Sequence, residues 1–201
     1  MLAIMLSLPI WISGLLFALI HSVFAAESCK QWFYQRGMAP QHYRLLYSIF
    51  ALLLTAVWMF YIYQLPDASL YQTDGWFKWL LVFMQLCALW IVLLSLKSFD
   101  ANMFLGITET PEQGEPFHEH GIYRHVRHPM YSGVMLALLA SPVHTINSLN
   151  LSLCICFYFV VGSWFEERRM QGLHPEYVDY RKRVPAFVPW RALFHSPRRP
   201  Q

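Results

Sequence analysis

Long apolar runs separated by short polar connections dominate the hydrophobic pattern of this chain. A transmembrane helix needs about 20 mostly apolar residues to cross the hydrocarbon core of a bilayer. Five runs reach or approach this length: 2–26, 43–65, 76–96, 130–143 and 149–165. The last two are shorter, so we expect them either to tilt little or to form a tight hairpin. The pattern predicts an all-α integral membrane protein with about five transmembrane helices.

A polar segment with helical periodicity follows the last apolar run. Tyr177, Tyr180 and Val184 recur at a spacing that places them on one face of a helix. Basic residues occupy much of the remaining surface of this segment. The spacing predicts a C-terminal amphipathic helix, whose apolar face could lie along the membrane surface.

The charges in the connections predict the orientation of the spans. Lys30, Arg36 and Arg44 lie in the first connection, Arg124 and Arg127 lie in the third, and eight more basic residues lie in the tail. Cytoplasmic connections carry an excess of lysine and arginine. We therefore expect the N-terminus outside and the C-terminus in the cytoplasm, in a bacterial inner membrane.

The composition agrees with a membrane protein and excludes several other classes. The 201 residues are 56% hydrophobic and only 13% charged, which fits one domain in a bilayer better than a soluble globule. The net charge is +3, and the basic residues lie beside the apolar runs. We therefore expect membrane lipid rather than nucleic acid as a partner. The four cysteines lack CxxC spacing and predict neither a disulfide framework nor a zinc site. The first run lacks a basic n-region, so we interpret it as a retained helix rather than a signal peptide.

Residues 121–133 hold the densest chemistry of the chain, with two arginines, two histidines and two tyrosines just before an apolar run. Pro129 stands where a helix begins, because proline lacks only an N–H that would be unpaired there. The amides and the positive dipole end of such a helix favour anions. With Arg127 and His128 beside them, they predict a site for the carboxylate of a small zwitterion.

A pair of acidic residues, Glu166 and Glu167, falls at the end of the last apolar run, where an uncompensated carboxylate is costly. Both could reach water beside Arg168 and Arg169. Alternatively, one could hold the ammonium group or the ribose hydroxyls of a ligand. Since residues 121–133 are predicted on the same side of the membrane, we favour the ligand.

Two further features leave alternatives open. The segment 100–120 carries several glutamates among glycines and prolines, which is typical of a lid over the site and equally of a solvated connector.

The histidines at 118, 120, 125 and 128, and His21 in the first run, could suggest a metal or a haem. Their spacing matches no recognised closed metal site, so we predict no metal ligands and keep a haem- or metal-binding redox protein as the alternative. We interpret His21 as an interhelical hydrogen-bonding residue, together with Ser22.

Three motifs carry a resemblance to a known superfamily. They are residues 123–133 (Tyr-Arg-His-Val-Arg-His-Pro-Met-Tyr-Ser-Gly), the Glu166-Glu167 pair, and the Tyr-x-x-Tyr-x-x-Arg-Val-Pro pattern at 177–185. Together they resemble the integral-membrane methyltransferases typified by isoprenylcysteine carboxyl methyltransferase. Phospholipid methyltransferases and some sterol reductases share this order, so it identifies a superfamily more firmly than a substrate. His21, Ser22, Lys30, Arg44 and Tyr47 add a looser resemblance to the bacterial branch that contains methanethiol S-methyltransferase and denitrification-associated membrane proteins.

This resemblance implies an S-adenosylmethionine-dependent methyltransferase in one domain, 1–201, with a transmembrane scaffold at 1–98 and a cofactor-binding and catalytic half at 99–190. The acceptor would be a small or lipophilic thiol or carboxylate. The matching cofactor positions, together with Arg127 from the charge argument above, are Phe117, His118, Tyr123, Arg127, His128, Pro129, Met130 and Tyr131. The predicted catalytic residues are Glu166, Glu167 and Arg183.

Arg183 is predicted to orient an anionic acceptor, and its alternative is a cation at the membrane surface. The prenylcysteine enzymes carry an arginine about one turn before the glutamates. Gly162 and Ser163 stand there in this chain, which argues against a prenylcysteine carboxylate as the acceptor.

Overall fold

The computed structural model of the chain describes residues 2–98, 117 and 119–191. Over these residues it forms seven α-helices, a short 3₁₀-helix and two short strands. The helices are α1 (Leu2–Ala25), α2 (Glu27–Tyr34), α3 (Pro40–Tyr63), α4 (Gly75–Leu96), α5 (Pro129–Leu139), α6 (Ile146–Leu173) and α7 (Tyr177–Arg183). The 3₁₀-helix is Gly121–Arg124, and the strands are β1 (Ser69–Gln72) and β2 (Val143–Thr145).

Four of these helices, α1, α3, α4 and α6, are long and apolar enough to cross a membrane. Their outer faces carry large apolar side chains such as Leu52, Val57 and Phe83, which are 70%, 66% and 62% exposed. Exposed apolar surface of this extent is stable against lipid rather than water. The predicted all-α membrane fold is confirmed.

The fourth apolar run forms a shorter helix than its pattern predicts. Helix α5 has 11 residues and is about 16 Å long, roughly half the thickness of the hydrocarbon core. The helix ends before Pro142, and residues 143–145 enter β2. The fifth run is longer than predicted, because α6 extends over 28 residues and includes the acidic pair.

A two-stranded antiparallel sheet joins two connections at one end of the helices. Ser69 lies opposite Thr145, and Gln72 lies opposite Val143. Thr145 also caps α6 through a capping box with Ser148, which satisfies two amides at the helix start. The α3–α4 connection and the α5–α6 connection are therefore tied together at the end opposite the acidic pair.

Close helix approaches occur at small residues. A Cβ on Gly133 of α5 would lie 2.8 Å from the carbonyl oxygen of Ala88 in α4, so the two backbones nearly touch. Gly14 allows a similar approach of α1 to Cys154 in α6. Small residues at crossings are the usual way that membrane helices gain packing contacts.

The contacts between helices also define their directions. Trp11 bonds Asn150 and His21 bonds Tyr158, so α1 and α6 run parallel. Gln85 bonds the carbonyl of Ala137, while Gly133 lies against Ala88, so α4 and α5 run antiparallel. The end of α6 and the start of α5 meet at one end of the protein, where His128 contacts Glu167.

Helix α7 confirms the predicted amphipathic segment but not its predicted environment. Tyr177, Tyr180 and Val184 are buried, and they pack with Phe117 and Met170. The apolar face of α7 therefore contacts the protein itself, and the prediction that it faces the membrane surface was wrong. Met170, near the end of α6, supplies part of the apolar surface that this face covers.

Candidate functional site

The start of α5 is held by the segment that follows α7. The amide of Arg127 donates to the carbonyl of Pro185 at 2.9 Å, and the amide of His128 donates to that of Ala186 at 3.0 Å. One turn later, the hydroxyl of Ser132 donates to the carbonyl of Phe187 at 2.8 Å. Pro129 occupies the first turn of the helix, as its missing N–H allows. The predicted helix start at Pro129 is confirmed, and residues 185–187 form one wall beside it.

Glu167 is the centre of a buried ionic cluster. Its Oε1 accepts from Nε and Nη2 of Arg127 at 2.8 and 2.6 Å and lies 3.0 Å from Nε2 of His128. Its Oε2 lies 2.9 Å from Nε of Arg181. The side chains of Arg127 and Glu167 are only 10% and 6% exposed. Both carboxylate oxygens are thus engaged within the protein, and the cluster joins α5, α6 and α7.

Arg127 also donates through Nη1 to two main-chain carbonyls. These belong to Arg181, at 3.1 Å, and Val184. A guanidinium offers five N–H donors and no acceptor. The contacts to Glu167 and to these carbonyls therefore direct this cation into the protein and fix the turn after α7.

Glu166 has a different environment from its neighbour in the sequence. Its side chain is 38% exposed, and it accepts a hydrogen bond from the hydroxyl of Tyr131 at 3.1 Å. The ring of Tyr131 lies parallel to those of His128 and Phe159, with centroids 5.4 and 4.6 Å away. Glu166 is therefore a carboxylate beside an aromatic stack, with one side open.

A small pocket opens where these groups meet. Its volume is about 60 Å³, and its lining consists of Tyr123, Arg127, His128, Pro129, Met130, Tyr131 and Glu166. That volume equals about two water molecules, so a larger ligand would extend beyond it. All seven lining residues belong to the set predicted from the sequence.

Tyr123 is held against the pocket by its neighbours. The hydroxyl of Tyr180 donates to the carbonyl of Tyr123 at 2.6 Å, and the ring of Phe117 contacts that of Tyr180 edge to face. Burial raises the pKa of Tyr123, and the charge of Glu166 raises it further. Burial likewise raises the pKa of Tyr180. Both phenols therefore stay protonated and can donate hydrogen bonds at neutral pH.

The remaining predicted residues lie elsewhere or outside the described part of the chain. Phe117 belongs to the aromatic cluster behind the pocket, in contact with α7. Arg183 is 63% exposed and lies 3.2 Å from Glu119. His118 and most of the segment 100–120 lie outside the described residues.

Two contributors to the site were missed. Arg181 pairs with Glu167, and Phe159 stacks on Tyr131. Phe159 and Glu166 are seven residues apart and so share one face of α6, which the helical period could have shown. No sequence pattern predicted the contact of Arg181 with Glu167, because the direction of α7 relative to α6 depends on the packing.

All four cysteines are free. Within residues 2–98, 117 and 119–191, no group of three or more histidine, cysteine, aspartate or glutamate side chains is placed to hold a metal ion.

The chain is an integral membrane protein with four helices apolar enough to span a bilayer, and a buried ionic cluster and a tyrosine-lined pocket lie together at one end of these helices. The model of the NnrU protein family matches residues 10–192, so the chain belongs to that family. No solved structure matches it significantly.

Several curated proteins are similar to this chain over most of its length. Methanethiol S-methyltransferase 2 of Bradyrhizobium diazoefficiens is 32% identical over 185 residues, which cover 87% of this chain and 70% of the relative. Methanethiol S-methyltransferase 1 of the same organism is 33% identical over 190 residues, covering 88% and 64%. The methanethiol S-methyltransferase of Mycobacterium tuberculosis is 31% identical over 188 residues, covering 87% and 74%. The predicted relationship to the bacterial branch of these membrane methyltransferases is confirmed.

Proposed function

We propose that this protein is an S-adenosylmethionine-dependent membrane methyltransferase that methylates a small or lipophilic thiol. The observation that carries the proposal is the pocket in which the half-exposed Glu166 lies beside the rings of Tyr131 and Tyr123. The relatives named as S-methyltransferases support the reaction class. S-Adenosylmethionine supplies a methyl group activated by a positively charged sulfur.

The residues around the pocket fit such a zwitterionic, cationic cofactor. Glu166 would hold its amino group or ribose hydroxyls, because this carboxylate is open to the pocket. The face of Tyr123 would pack against the adenosine or the sulfonium, since aromatic faces attract cations. Tyr131, whose ring is stacked with His128 and Phe159, would border the adenosine with its ring edge. The start of α5, behind Pro129 and Met130, would receive the carboxylate.

The two glutamates have separate roles in this proposal. Glu167 has both oxygens occupied by protein groups, so it positions Arg127 and His128 rather than binding ligand. Arg127 in turn holds the turn after α7. His128 contacts Glu167 through Nε2, and its Nδ1 lies on the pocket side, 3.8 Å from Glu166. Glu166 is therefore the member of the pair that we expect to contact the cofactor.

Methyl transfer by in-line displacement requires no covalent intermediate with the protein. Holding two reactants in line can remove about 7–11 kcal/mol of the barrier. A thiolate and a sulfonium cancel their charges as they react, so surroundings poor in water favour the transfer. Arg183 stays a predicted contact for an anionic acceptor, with a surface cation as its alternative.

The orientation and the compartment are part of the same proposal. The positive-inside rule places the site and the C-terminus in the cytoplasm and the N-terminus outside. We propose a bacterial inner membrane, where a lipophilic acceptor could enter between the helices.

Cofactor binding by variants of Glu166 tests the proposal. Losing a hydrogen bond to a charged group costs about 1.5–3 kcal/mol, or roughly one to two decades of affinity. Glu166→Gln should weaken the binding of S-adenosylhomocysteine by that factor in calorimetry of the detergent-solubilised protein. Glu176→Gln, an exposed glutamate outside the pocket, is the matched control and should change nothing.

The wild-type protein should also transfer labelled methyl from S-adenosylmethionine to one member of a panel of thiols, prenylcysteines and lipids. Folded wild-type protein that binds neither form of the cofactor would refute the proposal. A Soret absorption band in such a protein would favour the haem-binding alternative.

A further inference from the structure

A histidine and two tyrosines form a polar cluster inside the membrane helices. The hydroxyl of Tyr158 in α6 lies 2.7 Å from Nδ1 of His21 in α1, and that of Tyr47 in α3 lies 2.9 Å from Nε2. The ring of Phe17 stacks on His21 and also on Trp58. Interhelical hydrogen bonds in membrane proteins contribute only about 0.6 kcal/mol on average. Stabilisation alone is therefore a weak reason for an ionisable group here, and such groups commonly mark functional sites.

This cluster lies about two turns of α6 away from the pocket residue Glu166, toward the middle of that helix. Tyr158 precedes Phe159, whose ring stacks on the pocket residue Tyr131 at 4.6 Å. Along α6, Gly162 follows Tyr158 by four residues and precedes Glu166 by four, which is about 6 Å in each direction. A Cβ on Gly162 would have no neighbouring atom within 4 Å. Open space therefore lies on α6 between the cluster and the open carboxylate.

Methylation of a thiol needs a group that takes up its proton. The thiolate, not the neutral thiol, is the effective nucleophile at sulfur. A neutral imidazole within hydrogen-bond reach of a hydroxyl is a suitable base, and general base catalysis typically contributes about 10²–10⁴-fold. The cluster supplies this arrangement next to the space at Gly162.

We propose, building on the function proposed above, that His21, Tyr47 and Tyr158 form the acceptor site, where the thiol binds and loses its proton. The thiol proton passes to the Tyr158 oxygen as the hydroxyl proton of Tyr158 moves to Nδ1 of His21. A sulfur lone pair forms the new S–C bond to the methyl group, and the electron pair of the broken sulfonium bond stays on the donor sulfur. The imidazolium later releases the proton to water. This assignment requires the tautomer whose Nε2–H donates to Tyr47.

The surroundings of the cluster select a small apolar thiol. Phe17 contacts both His21 and Tyr158, and the ring of Phe159 lies 6.4 Å from that of Tyr158, so aromatic side chains surround the polar atoms. Gly162 and Ser163 offer no charge to an acceptor carboxylate. A short alkyl or aryl thiol reaching the site from the lipid fits these surroundings.

Two thiols that differ in acidity separate a base from a structural contact. Thiophenol is a much stronger acid than ethanethiol, so it loses its proton far more readily and its methylation depends less on a base. His21→Gln should lower the turnover of ethanethiol about 100-fold or more and that of thiophenol only a few-fold. Tyr158→Phe should show the same selective loss and serves as a second variant if His21→Gln does not fold.

Binding measurements complete the test without relying on turnover. Both variants should bind S-adenosylhomocysteine as the wild type does, but bind ethanethiol more weakly in the absence of the methyl donor, by calorimetry. Gly162→Leu fills the open space and should raise the KM for thiols with unchanged S-adenosylhomocysteine binding.

Equal losses for both thiols, or losses that follow a lower melting temperature, would show that the cluster only ties the helices together. Unchanged ethanethiol turnover in His21→Gln would equally overturn the proposal. Failure of the proposed function looks different, because wild-type protein would then bind no cofactor and methylate neither thiol.

Discussion

Replacing Glu167 by glutamine tests the view that this carboxylate is a structural centre rather than a ligand contact. The change keeps the size of the side chain but removes its charge. It leaves the guanidinium of Arg127, which is 10% exposed, without its anionic partner. Arg181 is also deprived of that partner, but it is 46% exposed and can turn to water.

The size of the effect follows from the burial of Arg127. Removing one member of a buried ion pair typically costs 3–5 kcal/mol, because the other charge stays buried and uncompensated. Arg127 keeps the carbonyls of Arg181 and Val184, so we expect the lower end, about 3 kcal/mol. That equals about two decades in the ratio of folded to unfolded protein.

Denaturant unfolding in detergent measures this loss, and the neighbouring glutamate supplies the matched control. Glu166→Gln removes a 38% exposed carboxylate with one tyrosine donor, so it should cost about 1 kcal/mol or less. A double variant, Arg127→Met with Glu167→Met, should recover part of the loss because no buried charge is left unpaired. Equal destabilisation by Glu166→Gln and Glu167→Gln would refute the division of roles between the two residues.

Two other predictions concern packing and orientation. Gly133→Ala should destabilise the protein by about 1–3 kcal/mol because its methyl group would press on the Ala88 carbonyl, whereas Gly172→Ala in open space should be neutral or stabilising. Melting temperatures in detergent compare the two, and a tolerated Gly133→Ala would contradict the close α4–α5 crossing. A cytoplasm-dependent reporter should be active when fused after Gln201 and inactive when inserted at Ala68, since the charge asymmetry sets the orientation. The reverse activities would place the site on the outer side.

The fold class was predictable because the apolar runs are longer than a soluble fold needs. A chain cannot leave its backbone groups unpaired in lipid, so runs of this length must be helices. The start of α5 was also predictable from a local signal, because Pro129 lacks the N–H that would be unpaired in the first turn of a helix. Six of the seven pocket-lining residues come from one stretch, 123–131, which is why sequence motifs identified them.

The tertiary structure alone decided what each of these residues touches. Glu166 and Glu167 are adjacent, with the same side-chain chemistry, yet one faces the pocket and the other a buried arginine. That difference depends on where α7 returns over the end of α6, and no local pattern encodes this direction. The pairing of His21 with Tyr158 likewise joins residues 137 positions apart and arises only from the parallel packing of α1 and α6. Periodicity and capping act within a few residues, whereas these contacts depend on how whole helices pack.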